Sequence, residues 1–337
     1  MVILSNHTLP KRKFQLSKLS KWYRNRDRYR QKHIKHEEMM DSSLTGMYAA
    51  LLTGFADSGA FDADRQTAIT KYVLRQGLKG IYIGGSSGES GLMSTDELLE
   101  QQSVIAKLTQ DKKTCVIAHV GLPNIRDSIS LAKSAEAHQF DALSALPPHS
   151  YPFSDEEIYH YYSELAAATS LPLIVYEVPI RTSRPLPLEL LQRILDLPNV
   201  AGIKFTSTDL FKLSMLRKSR PNKLYFFGFD EIFAAAATLG CDGGIGTTYN
   251  LLGRLYVDLY NSVQESDLQK TQELQGISQD LVEALLPTGV IPGMKAALRS
   301  IGVDAGYARG PLIEQDKAAE QRIGKFLESS PARDWLA

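Results

Sequence analysis

A lysine at position 204 lies inside the apolar run Gly202-Ile203-Lys204-Phe205, where an ammonium is expensive to desolvate unless it is paired or deprotonated. Burial lowers a lysine pKa, and a neutral amine near pH 7 can attack a ketone to form an imine. The competing reading is a lysine that snorkels its charge to the strand end. Tyr176 closes the preceding apolar run, so its phenol is expected to converge on Lys204 and to shuttle protons. Taken alone, it reads first as a packing tyrosine with a satisfied hydroxyl.

Two further groups of residues follow apolar runs. In Gly84-Gly85-Ser86-Ser87-Gly88-Glu89, glycines let backbone N–H groups approach an anion and two hydroxyls add donors. With a helix N-terminus expected there, the loop suits a small carboxylate. In Gly228-Phe229-Asp230-Glu231, adjacent carboxylates suit several hydroxyls, as on a sugar chain; N-capping of the next helix by Asp230 is an equal alternative. No metal centre is expected, because the seven histidines show no ligand spacing such as H-E-x-x-H. His119 ends an apolar run and reads as a structural histidine, so a Ser-His-Asp hydrolase is not expected either.

These residues need elements to hold them. Short, largely apolar runs bounded by Gly, Pro or polar residues predict strands at 47–52, 80–83, 115–120, 142–146, 173–178, 202–205, 224–228 and 243–247. Helix starts fall between them, at Asp62 with Asp64, at Ser94-Thr95-Asp96-Glu97 and at Ser154-Asp155-Glu156-Glu157. Pro187 is expected in the first turn of another helix. Alternation of this kind predicts an α/β fold, a (β/α)8 TIM barrel, with extra C-terminal helices after Tyr249. A doubly wound sheet is the rival, but no G-x-G-x-x-G follows a strand. Reactive side chains at the C-terminal strand ends of a barrel share one face.

The chain has 337 residues, 43% hydrophobic and 23% charged, with zero formal net charge, which gives no global reason to expect a nucleic-acid partner. Residues 1–43 differ, with basic residues from Lys11 to Lys35 and few apolar ones. They read as a disordered or loosely helical extension, in preference to an arm for nucleic acid or anionic lipid, and 44–337 as the barrel domain. Cys115 and Cys241 read as buried small hydrophobes. No apolar stretch approaches the roughly 18 residues of a membrane span, and no signal-peptide core follows Met1, so a cytoplasmic protein is expected.

In order and combination, GGSSGE at 84–89, AHVG at 118–121, YEVP at 176–179, GIKFT at 202–206, GFDEIF at 228–233 and DGGIGTTYN at 242–250 resemble the dihydrodipicolinate synthase and N-acetylneuraminate lyase superfamily. The resemblance runs from about Thr45 to near Ser330, and Asp230-Glu231 with GGIGTTYN is most similar to the lyase branch. It implies a homotetrameric TIM barrel without metal or organic cofactor, reversibly cleaving N-acetylneuraminate to N-acetylmannosamine and pyruvate. By resemblance, Lys204 forms the imine, and Tyr176 relays the proton, positioned by Ser86. Ser86 and Ser87 hold the pyruvate carboxylate. Thr206, Gly228, Asp230, Glu231 and Thr247 contact the hydroxylated remainder.

Five positions depart from the lyase pattern: Ser150 where a tyrosine is usual, Glu177 for asparagine, Thr247 for serine, Gly54 for proline, and Arg181. Arg181 falls where the synthase branch grips a second carboxylate, although a solvated arginine or a partner for Glu177 is the slightly preferred reading. Two alternatives follow. One is a related pyruvate-dependent enzyme acting on another 2-keto-3-deoxy sugar acid or on aspartate semialdehyde. The other is a keto-acid sensor without turnover.

Overall fold

The computed structural model describes residues 42–111, 113–312 and 317–337. The basic extension expected at 1–43 therefore lies outside the described residues, except for Ser42 and Ser43 in a 3-10 turn, Ser42–Leu44.

Eight parallel strands close into a barrel in sequence order. They are β1 Gly46–Ala50, β2 Gly80–Ile83, β3 Cys115–His119, β4 Ala142–Ala145, β5 Leu173–Glu177, β6 Val200–Phe205, β7 Leu224–Phe227 and β8 Gly243–Gly246. All eight expected strands are present. Most end one or two residues early, because the last apolar residues already turn into the loops that carry the site.

Helices follow the strands: α1 Ala63–Leu74, α2 Thr95–Leu108, α3 Ile125–Ala137, α4 Asp155–Ala166, α5 Leu188–Leu195, α6 Leu210–Ser219, α7 Phe233–Thr238 and α8 Tyr249–Gln264. Their starts follow the expected chemistry. The Asp62 side chain accepts from the Asp64 and Arg65 N–H groups, and Ser94 with Glu97 and Ser154 with Glu157 form capping boxes. Pro187 stands one position earlier than expected, as the residue preceding α5.

Side-chain alternation sorts the strands into two faces. Ile81, Ile83, Val116, Leu143, Val175, Ile203 and Phe205 face outward and join the helices in the main core. Tyr48, Tyr82, Ile117, Ile174, Phe226 and Ile245 form a second cluster that fills the barrel. Lys204 pairs with Tyr176 on one side and Phe226 on the other, which places it on the inner face.

After α8 come α9 Leu268–Leu285, α10 Val290–Ser300 and α11 Lys317–Ser329. The first two pack on α8 and the three pack on one another, so the expected extra C-terminal helices are present. Among the described residues no single helix is long and apolar enough to cross a membrane.

Candidate active site

Lys204 is the penultimate residue of β6, and its side chain lies against aromatic faces rather than a carboxylate. Its Nζ sits 4.1 Å from the Tyr82 ring centroid and 4.2 Å from that of Tyr176. Only 3% of the residue is exposed. Full burial of an unpaired ammonium shifts its pKa by up to about 3–5 units, whereas ring faces return only about 0.5–2 kcal/mol. Desolvation therefore wins. The amine falls from an ordinary 10.5 to about 7, with Asp230 pulling upward and Arg181 reinforcing the fall.

Tyr176 is the penultimate residue of β5 and is also buried. Burial pushes its phenol upward, against Arg181 and the Ser86 and Thr206 hydroxyls, so it is held in the protonated form. A neutral amine beside a protonated phenol is a donor–acceptor set for carbonyl addition and dehydration.

Tyr82 was not singled out from the sequence, yet it forms the other wall of the lysine. Its hydroxyl donates to Ser144 Oγ at 3.1 Å, and its ring meets Tyr176 edge-on. Its parity with Gly80 on β2, directly before the serine loop, is the signal that could have found it.

The Gly84–Glu89 loop leads into a single 3-10 turn, Ser90–Leu92, and the next helix starts only at Thr95. The expected helix N-terminus is therefore absent, and any anion binding rests on the hydroxyls and local N–H groups. Gly84 to Gly88 also spells G-x-S-x-G, but among the described residues no histidine hydrogen-bonds to Ser86. His119 Nε2 accepts from the Leu146 N–H at 3.3 Å, which leaves Nδ1–H to donate to the Gly84 carbonyl at 2.9 Å. Burial and the neighbouring Lys204 hold that imidazole down at about 3.

Ser87 Oγ and Thr247 Oγ1 are 2.6 Å apart, so the loops after β2 and β8 meet across the barrel mouth. Gly228 leaves room on the other side of the lysine: a Cβ there would stand 2.0 Å from Thr206 Oγ1 and 3.4 Å from Lys204 Cε. Thr206 Oγ1 is itself buried without a well-aligned hydrogen bond.

Asp230 does not cap its own helix. Its Oδ2 accepts from the Thr248 N–H and hydroxyl, at 2.8 and 2.7 Å, across to the start of α8. Oδ1 is buried with no hydrogen-bond partner. Burial raises this carboxyl to about 6, opposed by the Thr248 bonds, while the Glu231 charge pushes further upward. Glu231 is half-buried and lends its backbone carbonyl to Gln279.

A cleft of about 790 Å³ opens beside this centre. Ser86, His149, Ser150 and Arg181 line it, with Ile291 of α10 on the far wall. Lys204, Tyr176, Thr206, Asp230, Glu231 and Thr247 are not on its walls. Arg181 is exposed at the cleft, as the solvated half of the preferred reading has it; it does not pair with Glu177, and both Lys204 and Tyr176 feel its charge. Glu177 is fully buried on the outer parity of β5. Its Oε1 accepts from the Leu186 N–H at 3.0 Å, Oε2 has no hydrogen-bond partner, and burial raises the carboxyl to about 7. Among the described residues no group of three or more His, Cys, Asp or Glu could hold a metal ion.

Residues 43–330 match the model of the dihydrodipicolinate synthetase family. The chain belongs to that family. It is 38% identical over 275 residues to the N-acetylneuraminate lyase of Rhizobium meliloti strain 1021, covering 82% of this chain and 91% of the relative. The N-acetylneuraminate lyase structure from Mycoplasma synoviae superposes with a TM-score of 0.80 at 30% identity, covering 88% of this chain and 99% of that one. The Fusobacterium nucleatum lyase complexed with pyruvate gives 0.82 at 28% identity, covering 89% and 100%.

Proposed function

We propose that the protein is a class I aldolase that reversibly cleaves N-acetylneuraminate to N-acetylmannosamine and pyruvate through an imine on Lys204. The observation that carries this reading is the buried, unpaired lysine between two tyrosine rings, with its amine brought to about 7. Lyases of that name among the relatives support the sugar acid as substrate.

In this reading, Nζ adds to the keto carbon and water leaves, with Tyr176 returning the proton that the departing hydroxyl needs. The protonated imine then accepts the electron pair of the breaking carbon–carbon bond as an enamine, while the substrate hydroxyl gives its proton to the Tyr176 phenolate as the aldehyde forms. Ser86 orients Tyr176, and Ser86 with Ser87 receives the carboxylate. Thr206, Gly228, Asp230, Glu231 and Thr247 meet the hydroxylated chain. A homotetramer in the cytoplasm, with no resident cofactor, completes the proposal.

Borohydride reduction in the presence of pyruvate tests it. A mass increase on the Lys204 peptide is expected, and folded protein that gains none sinks the imine. Arg181 on the cleft favours a second reading, an acidic aldehyde partner such as aspartate semialdehyde. Turnover of N-acetylneuraminate against a panel of keto-deoxy acids, with aspartate semialdehyde plus pyruvate alongside, separates the two.

A further inference from the structure

Away from the imine centre, the most deeply buried ion pair among the described residues joins Glu89 and Lys295, whose side chains are both 0% exposed. Glu89 ends the serine loop and sits at φ 59, a left-handed conformation that a non-glycine residue keeps only when its surroundings impose it. The turn it closes is tight. The Glu89 N–H donates to the Ser86 carbonyl at 3.1 Å, and the Ser90 N–H donates to that of Gly85 at 3.3 Å.

What imposes this turn comes from the far end of the chain. Lys295, on α10, meets Glu89 Oε1 at 2.8 Å, an oblique ion pair rather than an aligned hydrogen bond. Its ammonium also donates to the Tyr307 carbonyl at 2.8 Å and lies over the Phe55 ring. Glu89 Oε2 accepts from the Arg309 N–H at 2.7 Å. Both carboxylate oxygens are thus held by the C-terminal segment. A buried pair of this kind is weak support for stability but can fix geometry, because among the described residues neither charge has a second salt-bridge partner.

We propose that Glu89 and Lys295 are a positioning pair that sets the Ser86-Ser87 hydroxyls and N–H groups for a keto-acid carboxylate. The C-terminal helices thereby tune keto-acid affinity through this pair. This rests on the proposed role of Ser86 and Ser87, and the experiment keeps the two separable.

The test uses the full chain carrying E89Q/K295M, which removes both charges, keeps the shape at 89, replaces the side chain at 295 with one an atom shorter, and leaves Gln able to accept from Arg309. Replacing a buried pair together avoids the stranded charge that a single substitution creates. Half-saturating pyruvate for borohydride trapping is expected to rise about tenfold or more, as when other orienting partners are lost. The maximal trapping rate stays near that of the parent, and amides 86–90 exchange faster. A folded double variant with parental half-saturation overturns the proposal, whether or not exchange changes. If the parent protein forms no imine with pyruvate, the aldolase reading fails by itself. Exchange at 86–90 then decides this inference: unchanged protection overturns it, and faster exchange upholds the pair as the clamp of that turn.

Discussion

Lys204 should report its own burial in the pH dependence of imine formation. With the amine at about 7, roughly one-eleventh is neutral at pH 6, about half at pH 7 and about ten-elevenths at pH 8. The initial rate of pyruvate trapping, measured by rapid quench into borohydride, should therefore rise about tenfold from pH 6 to 8 and then level off. A lysine at the ordinary 10.5 would gain about a hundredfold over the same interval and keep rising to pH 10. The same burial has a stability signature. The folded state binds fewer protons than the unfolded chain between about pH 7 and 10.5, so stability rises with pH across that window and is lost as pH falls to 7. The gap corresponds to roughly 4 kcal/mol at pH 7. Lys204→Met should remove trapping and raise urea stability by up to about that amount at pH 7, with the difference shrinking toward pH 10. A trapping rate that climbs tenfold per unit beyond pH 8, or a Lys204→Met variant no more stable than its parent at pH 7, would refute the reasoning.

Arg181→Met should move the trapping profile to higher pH, because a cation that lowers the lysine is gone, whereas Asp230→Asn should move it lower; rate–pH curves of both variants check the two signs. Gly228→Ala should lower trapping about tenfold to a hundredfold, since overpacking against Thr206 and Lys204 costs about 1–3 kcal/mol, with the melting temperature falling in parallel. Glu177→Gln should stabilise the protein by up to about 3 kcal/mol above pH 7 and have little effect below pH 4.5. The raised carboxyl gives stability that is complete below 4.5 and lost as pH rises through about 7, and urea titrations at both pH values measure it.

Much of this was legible because the barrel repeats its instructions. Each strand is short and largely apolar, and five of the eight helix starts carry a side-chain cap, so many local readings agreed on one closed sheet. The place of Lys204 and Tyr176 at the ends of successive apolar runs also marked them as neighbours, as the β5–β6 register has them. What depends on direction was not legible. The β5 run Val175-Tyr176-Glu177 says that alternate residues face opposite ways, but a lone glutamate beside a tyrosine does not reveal that it finds Leu186 N–H behind the sheet. Asp230 fits an N-cap by position, and only the approach of the α8 start turns its carboxylate to Thr248. Arg181 follows Pro179 in a single helical turn, Pro179–Thr182, whose orientation over the cleft is set by the barrel closing around it.

The two buried lysines show what would separate a reactive amine from a structural one. Lys295 is fully buried yet meets Glu89 and the Tyr307 carbonyl, so its charge is compensated and its amine falls only to about 8. Lys204 is as deeply buried but faces two aromatic rings, and the Asp230 carboxylate, whose charge it feels, turns one oxygen to Thr248 and makes no salt bridge to Nζ. Ring faces attract a cation too weakly to offset its lost hydration. The cheaper state for Lys204 is therefore neutral, which is the nucleophilic one. On this argument reactivity depends on what is withheld from the lysine as much as on what surrounds it. A carboxylate brought to hydrogen-bond distance of Nζ would favour the ammonium and silence the amine at neutral pH.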